Sequence, residues 1–320
     1  MTSQPNSDRS RHGVTRFDRG TVLANEQAGG GKTQKLLPLL DRAFRDQGVT
    51  AQIRTTSNSN DLESLTKEAI QDGVRLLFAV GGDGTLQGLV NAAYGHDVVL
   101  GVIPAGGGND FARALKLPRE PLAALAAALC GEARLVDLAK VRTSDGFERL
   151  FLGGGGVGLD ADTAQYAGGR YRNWRGRSRY LAAAIHAYLR YKPRRVRVTV
   201  EHSGDATTWQ TCVLACALNT PTFGAGIRLA PKARINDGVL DFAFLEELGV
   251  GRLLRILPRL ALQGTLNLPG LRTLQFRKLR LETEPPACFQ GDGELLGPTP
   301  VEIEVVPGAA KFLAPKLAQP

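Results

Sequence analysis

Histidine and cysteine are scarce in this chain of 320 residues, four of each, and neither type clusters. Cys130, Cys212, Cys216 and Cys288 form no CxxC pair, which argues against a zinc ribbon or a thioredoxin-like redox motif. Cys212 and Cys216 fall in an apolar, strand-like run, as reduced core residues in a cytoplasmic protein would. The scattered histidines offer no ligand set. Long apolar runs are also missing. None approaches the roughly 20 residues of a membrane span. Residues 1–20 are polar and charged, without the apolar centre of a secretory signal. A cytoplasmic protein with a disordered tail over residues 1–18 is expected.

Acidic residues are absent from one long stretch. Between Asp162 and Glu201 there is none, while Arg170, Arg172, Arg175, Arg177, Arg179, Arg190, Lys192, Arg194, Arg195 and Arg197 all lie there. These ten charges account for the whole net charge of +9. Tyr171, Trp174 and Tyr180 are interleaved with them. Such a patch suits anionic lipid or nucleic acid, against the plainer reading of a solvated basic face. The remaining composition, 43% apolar and 22% charged, is that of a globular protein with room for two domains.

What is abundant is glycine, and it is placed. An apolar strand pattern at 75–80 runs into Gly81-Gly82-Asp83-Gly84-Thr85, then into a helical pattern carrying Leu86, Leu89, Val90 and Ala93. A second strand pattern at 98–103 runs into Gly106-Gly107-Gly108-Asn109-Asp110 and a helix opening at Phe111. Glycine turns at the carboxyl ends of strands let backbone N–H groups approach phosphate oxygens. Asp83 and Asp110 supply carboxylates where Mg²⁺ or its waters can sit. The sequence Gly31-Lys32-Thr33 is not a Walker A loop, because Glu26 stands where that motif needs glycine.

Strand patterns at 21–25 and 51–56, with helical patterns after each, complete an alternating first half. This predicts a Rossmann-like α/β domain with a doubly wound parallel sheet over residues 19–138. From 139 to 306 the chain reads as mostly β, a sandwich. Strands are predicted at 135–142, 150–152, 196–202, 209–219, 239–245 and 274–284. Helices are predicted at 180–191 and 251–262. Three further motifs stand in this half: a glycine run at 153–156 leading to Asp160, the sequence PKARINDGVLD at 231–241, and Gly291-Asp292-Gly293-Glu294. Taken singly, they read as a hinge loop or close backbone contact, a turn before a strand, and a hairpin tip.

Together, GGDGT, GNDFAR at 108–113, the glycine run, PKARINDGVLD and GDGE resemble the diacylglycerol kinase catalytic-domain superfamily, in its bacterial lipid kinase branch. The matches keep the family order and cover roughly residues 21–313. The resemblance implies an ATP- and Mg²⁺-dependent kinase with its active site between the two domains. It also implies that residues 307–320 pack back on the first domain. Glu294 matches the proposed catalytic base beside Asp292, and Asp83 the residue that organises ATP-bound Mg²⁺. Asn25, Thr56, Gly81, Gly82, Gly84, Thr85, Leu86, Gln87, Gly106, Gly107, Gly108, Asn109 and Asp110 make up the implied nucleotide set. Asp237, with the carbonyls of Arg234 and Val239, matches a second, structural Mg²⁺ site.

The sequence departs from the family pattern at three places. Gly107 replaces a usual threonine, Gly88 a usual glutamate, and the first loop reads Asn25-Glu-Gln-Ala-Gly in place of NPxSG. A kinase of a soluble substrate such as NAD and a non-catalytic nucleotide sensor therefore stay as alternatives. The expected substrate is a diacylglycerol-like or sphingoid lipid, reached by peripheral association with an anionic membrane. No nucleic acid partner is expected, and a homodimer is left open.

Overall fold

The computed structural model describes residues 17–316, except 27, 29, 30, 57, 58, 172, 173, 175, 176, 202–207, 225 and 247–269. Nearly all of the expected tail at 1–18 and the whole helix expected at 251–262 lie outside the described residues.

The first half alternates as the patterns dictate. Strand β1 (Arg19–Asn25) leads to α1 (Lys32–Asp46), β2 (Thr50–Thr56) to α2 (Ser59–Gln71), and β3 (Leu76–Gly81) to α3 (Asp83–Ala93). Then come β4 (Val99–Pro104), the short α4 (Asp110–Ala114) and α5 (Pro121–Leu129). β1 to β4 are parallel, in the order β4-β3-β1-β2. β3 and β4 are buried along their whole length, as unalternating apolar strands of a two-sided sheet must be. The helices cover both faces, with α2 packed on α3 and α1 on α5. Phe44, Phe78 and Phe111 are fully enclosed in this core.

The second half is built around two long strands that belong to both layers. β5 (Glu132–Thr143) is followed by β6 (Glu148–Phe151), β7 (Gly154–Gly158), α6 (Leu159–Gly168) and α7 (Arg177–Leu189). The sandwich continues with β8 (Arg194–Val200), β9 (Gln210–Leu218), β10 (Leu240–Glu246), β11 (Leu271–Phe276) and β12 (Lys278–Glu284). It closes with β13 (Cys288–Gly291), β14 (Glu294–Pro298) and β15 (Val301–Ala314). β5 and β15 pair antiparallel from end to end, with a bulge between Val306 and Ala310. Before the bulge β15 pairs with β12 of the sandwich; after it, Lys311 and Phe312 pair with β4 of the α/β layer. Phe312 stacks edge-on with Phe111 at a centroid distance of 5.0 Å. The two layers therefore share one continuous ladder.

Asp137 sits on this seam. It is 3% exposed, and its carboxylate accepts from Gly308 N at 2.8 Å and Gly238 N at 2.7 Å. The single strand expected at 274–284 is two strands, broken at Arg277, with β11 pairing β10 and β12 pairing β8. The glycine run is not a hinge. β7 is a buried strand between β13 and β9, and a Cβ on Gly155 would lie 2.6 Å from Gln290 O. Only glycine lets the neighbouring backbones come so near.

Candidate active site

The two glycine turns leave adjacent strands side by side, because Gly81 is in register with Pro104. Gly81 O accepts from Ala105 N at 2.9 Å and Gly106 N at 3.2 Å. A Cβ on Gly106 would meet Gly82 Cα at 2.5 Å, so the turns touch backbone to backbone. Asn109 holds the second turn in a left-handed conformation, φ 54°, donating from Nδ2 to Gly106 O at 2.8 Å. Asn25, at the end of β1, donates to Thr85 Oγ1 at 3.4 Å, and buried Thr56 ends β2 alongside. The residues of the expected nucleotide set thus line the carboxyl ends of four parallel strands, where such sheets take ligands. Gly107 stands exposed on the second turn, while Leu86 and Gln87 are buried.

The acids of this region divide by partner. Asp83 begins α3, and its carboxylate crosses to the start of α4, accepting from Asp110 N and Phe111 N, both at 3.3 Å. Burial pushes its pKa up to about 6, and the charge of Asp110 adds to the rise. Asp110 is 6% exposed and faces inward; Thr222 Oγ1 donates to it at 2.7 Å, and Arg113 forms an ion pair with it. Asp83 is therefore the more open of the two toward the turns.

The GDGE segment is a hairpin tip, and it is anchored rather than free. Asp292 and Gly293 both have positive φ, 50° and 91°, as a two-residue turn between right-twisted strands requires. The Asp292 carboxylate accepts from Leu152 N at 2.7 Å, Gly153 N at 2.8 Å and Gly154 N at 3.3 Å. Burial pushes its pKa up to about 7; the three N–H groups oppose that rise and the charge of Asp83 reinforces it. From the α/β layer, Gln87 Nε2 donates to Gly291 O at 3.1 Å. Glu294 stands at the opening of the cleft and faces Gly84: a Cβ built on Gly84 would lie 3.1 Å from its Oε1. Partial desolvation raises its pKa, while Arg149 and Arg179 pull it down.

Sequence reasoning missed the residues that fasten this tip. Asn91 on α3 donates to Leu150 O and accepts from Leu150 N, both at 2.9 Å. Arg149 pairs with Glu63 of α2 across the same junction. Gln290 clamps the hairpin from behind, accepting from Gly293 N at 2.8 Å. None of these carries a motif; only Gln290, adjoining GDGE, had a signal to notice.

The PKARINDGVLD segment is docked on the seam through Asp137. Asp237 is exposed, and its Oδ1 accepts from Val239 N at 3.3 Å, an Asx turn before β10. Arg234 is exposed and Val239 half-buried on either side of it. Among the described residues no three histidine, cysteine or acidic side chains are grouped as a metal cage.

Paired glycine turns faced by an acidic hairpin across a two-layer cleft define a phosphotransferase of the GGDGT class. The comparisons refine this. Residues 19–141 match the model of the diacylglycerol kinase catalytic domain, and residues 155–314 that of the YegS C-terminal NAD kinase beta sandwich-like domain. A probable lipid kinase YegS-like of Stenotrophomonas maltophilia (strain K279a) is 32% identical over 85% of this chain and 89% of that protein. A diacylglycerol kinase of Mycobacterium tuberculosis (strain ATCC 25618 / H37Rv) is 29% identical over 92% of this chain and 95% of that one. A solved structure of a diacylglycerol kinase from Bacillus anthracis str. Sterne superposes with a TM-score of 0.68 at 21% identity, covering 94% and 98% of the two chains, and so shares the fold. The chain belongs to the diacylglycerol kinase family, with the YegS type of carboxyl-terminal domain.

Proposed function

We propose that this chain is an ATP- and Mg²⁺-dependent lipid kinase that phosphorylates a hydroxyl of a diacylglycerol-like or sphingoid lipid. The observation that carries this reading is the contact between GDGE and GGDGT. Gln87 reaches Gly291, and Glu294 Oε1 lies against Gly84. A proton acceptor is thus held beside a phosphate-type turn. The names of the relatives, diacylglycerol kinase and lipid kinase, support a lipid acceptor.

In this reading the N–H groups of the two glycine turns hold the ATP phosphates. Glu294 takes the proton of the lipid hydroxyl as the hydroxyl oxygen bonds to the γ-phosphorus, while the bond from that phosphorus to the β–γ bridging oxygen breaks and ADP leaves. Desolvation raises the pKa of Glu294, which makes it a better proton acceptor than a fully solvated glutamate. Asp292 holds the hairpin in shape through its three N–H partners. The acids present fit a Mg²⁺ that arrives with phosphates. Asp83 and Asp292 are half-buried residues with desolvated carboxylates, and the charge of Asp83 raises the pKa of Asp292; these two side chains would hold a Mg²⁺. When bound, Mg²⁺ would supply neutralisation of phosphate charge. Asp237, with the carbonyls of Arg234 and Val239, is the proposed second site, a structural one.

The lipid is met at an anionic membrane surface. No helix among the described residues is long and apolar enough to cross a bilayer. The outer face of α7 offers instead an apolar groove lined by Tyr171, Trp174, Ile185 and Leu189 and rimmed by Arg170.

The deciding experiment is ADP release by the purified protein with Mg-ATP and one acceptor at a time. Turnover with diacylglycerol or a sphingoid base in mixed micelles is expected. Turnover with NAD alone would favour the soluble-substrate reading. ATP binding without turnover on any acceptor would favour a sensor, with Gly107 and Gly88 as the suspects.

A further inference from the structure

Asp160 is a half-buried acid with a desolvated carboxylate, for which phosphoryl transfer as described above has no use. It lies in the first turn of α6, which follows β7 and packs on β13. Its Oδ2 accepts from Gln290 Nε2 at 2.8 Å and lies 3.5 Å from Cys216 Sγ. Its Oδ1 is buried without a hydrogen-bond partner among the described residues. Burial raises its pKa and the Gln290 amide opposes the rise. A desolvated carboxylate with one oxygen left without a hydrogen-bond partner costs stability that an apolar side chain at the same place would not. Some other gain has to explain its presence.

The partner explains it. Gln290 is 2% exposed, and its amide has two ends with two different jobs. Nε2 donates to Asp160, and Oε1 accepts from Gly293 N at 2.8 Å, one residue before Glu294. An amide can turn over and exchange its oxygen and nitrogen. A carboxylate can only accept, so Asp160 fixes which end of Gln290 faces it. The oxygen is thereby pointed at the hairpin tip. With Gln290 flipped, an NH₂ would face the Gly293 N–H, donor against donor, and the tip would lose its rear clamp.

We propose that Asp160 and Gln290 form a positioning relay that sets the geometry of the Glu294 hairpin. Neither touches the reacting atoms; both act through the Gly293 amide. The proposal rests on the reading of Glu294 as the proton acceptor. Displacements of order 1 Å at a reacting group cost about 100-fold in rate, so the relay is expected to show in kcat rather than in ATP affinity.

The test uses three variants of the full chain. Gln290→Met keeps the volume and removes both hydrogen bonds. Gln290→Glu sets two carboxylates against each other. Asp160→Asn combined with Gln290→Glu swaps the chemistry: the introduced amide donates to one oxygen of the introduced carboxylate, and the other oxygen accepts from Gly293 N. Lipid-kinase turnover, the KM for ATP, melting temperature and hydrogen exchange of the segment 288–298 are measured on each.

The expected result is a fall in kcat of about 10- to 100-fold for both single variants, the scale of lost second-layer contacts. The KM for ATP should move less than about threefold, and exchange at 288–298 should quicken. The swapped pair should recover most of the kcat and the slow exchange. A folded Gln290→Met with unchanged kcat would overturn the relay. So would a folded swap no faster than Gln290→Glu alone, which also decides the matter if Gln290→Met does not fold. Wild-type protein without lipid turnover would instead defeat the lipid-kinase reading. In that case exchange alone decides the relay, by quickening in the single variants and slowing again in the swap, or failing to.

Discussion

At the residue scale the cleft is dominated by acids held out of water. Asp83 and Asp292 have pKa values pushed up to about 6 and about 7, by burial first and then by neighbouring carboxylate charge. Both bind protons more tightly folded than unfolded, where an aspartate sits near 3.9. Between about pH 4 and pH 7 the native state therefore holds the extra protons, and stability falls as pH rises through that window. Melting temperatures of the metal-free protein should drop from pH 5 to pH 8, and Mg-ATP should restore them most at pH 8. A flat profile would show that burial does not raise the proton affinity of these two carboxylates. Asp83→Asn should abolish turnover, since it removes the charge proposed to meet Mg²⁺. The structure adds a second cost. An amide can replace only one of the two acceptors at the start of α4, so a loss of about 1 kcal/mol in stability is expected as well, on the scale of a helix cap. Urea unfolding checks the second effect and a coupled ADP assay the first.

Glu294 belongs to the same scale. Glu294→Gln keeps the size and one acceptor but cannot take a proton. A fall in kcat of roughly 10²–10⁴-fold is expected, the usual range for loss of a general base. Distance in sequence from the glycine turns suggests an unaltered ATP affinity. The placement of Oε1, 3.1 Å from where a Cβ on Gly84 would stand, changes that expectation: the KM for ATP should shift modestly, because the carboxylate borders the turn. Full turnover by the glutamine variant would leave the proton to solvent.

At the scale of elements, the first half of the fold was legible because its signals are local. Leu86, Leu89 and Val90 repeat at helical spacing, and the strands at 76–81 and 99–104 are unbroken apolar runs ended by glycine turns. β7 was hidden because a strand made of Gly154, Gly155, Gly156, Val157 and Gly158 has no pattern of side chains to read. β15 was hidden for a different reason. Its bulge between Val306 and Ala310 breaks the alternation just where it passes from one layer to the other. The candidate site was legible in its acids and glycines, and the resemblance supplied their roles. Gln290, Asn91 and Arg149 were not legible, since their meaning lies in partners 3 to 130 residues away. Glycine substitutions test the close packing of these elements. Gly106→Ala should cost about 1–3 kcal/mol, as overpacking does, and weaken nucleotide binding, because the new Cβ meets the backbone of Gly82. Gly168→Ala, with nothing within 4 Å at the end of α6, should be neutral or stabilising by up to about 1 kcal/mol. Equal behaviour of the two in thermal melts would remove the argument from close approach.

For the whole molecule, the unequal distribution of charge looks different in space than along the chain. The stretch from 163 to 200 has no acid of its own, yet the fold brings acids to it. Arg194 is paired with Asp162, Arg195 with Glu284 and Arg197 with Glu282. Those three charges are largely spent within the sandwich. Arg170, Arg190 and Lys192 make no salt bridge among the described residues, and Arg170 lines the groove on the apolar face of α7. On that face Trp174 is 52% exposed, Ile185 51% and Leu189 76%. Arg172 and Arg175 lie outside the described residues. Docking on an anionic bilayer should therefore combine two terms. Each basic side chain near the surface contributes about 1 kcal/mol, screened by salt. The exposed apolar side chains add a part that salt does not remove. Co-sedimentation with vesicles containing anionic lipid should weaken, without vanishing, when salt is raised. Leu189→Glu and Ile185→Glu should abolish the salt-resistant part, and because both positions face solvent the melting temperature should hold. Arg195→Gln should change little, its charge being already matched by Glu284. Equal binding to neutral and anionic vesicles, or full binding by the two glutamate variants, would place the membrane contact elsewhere on the molecule.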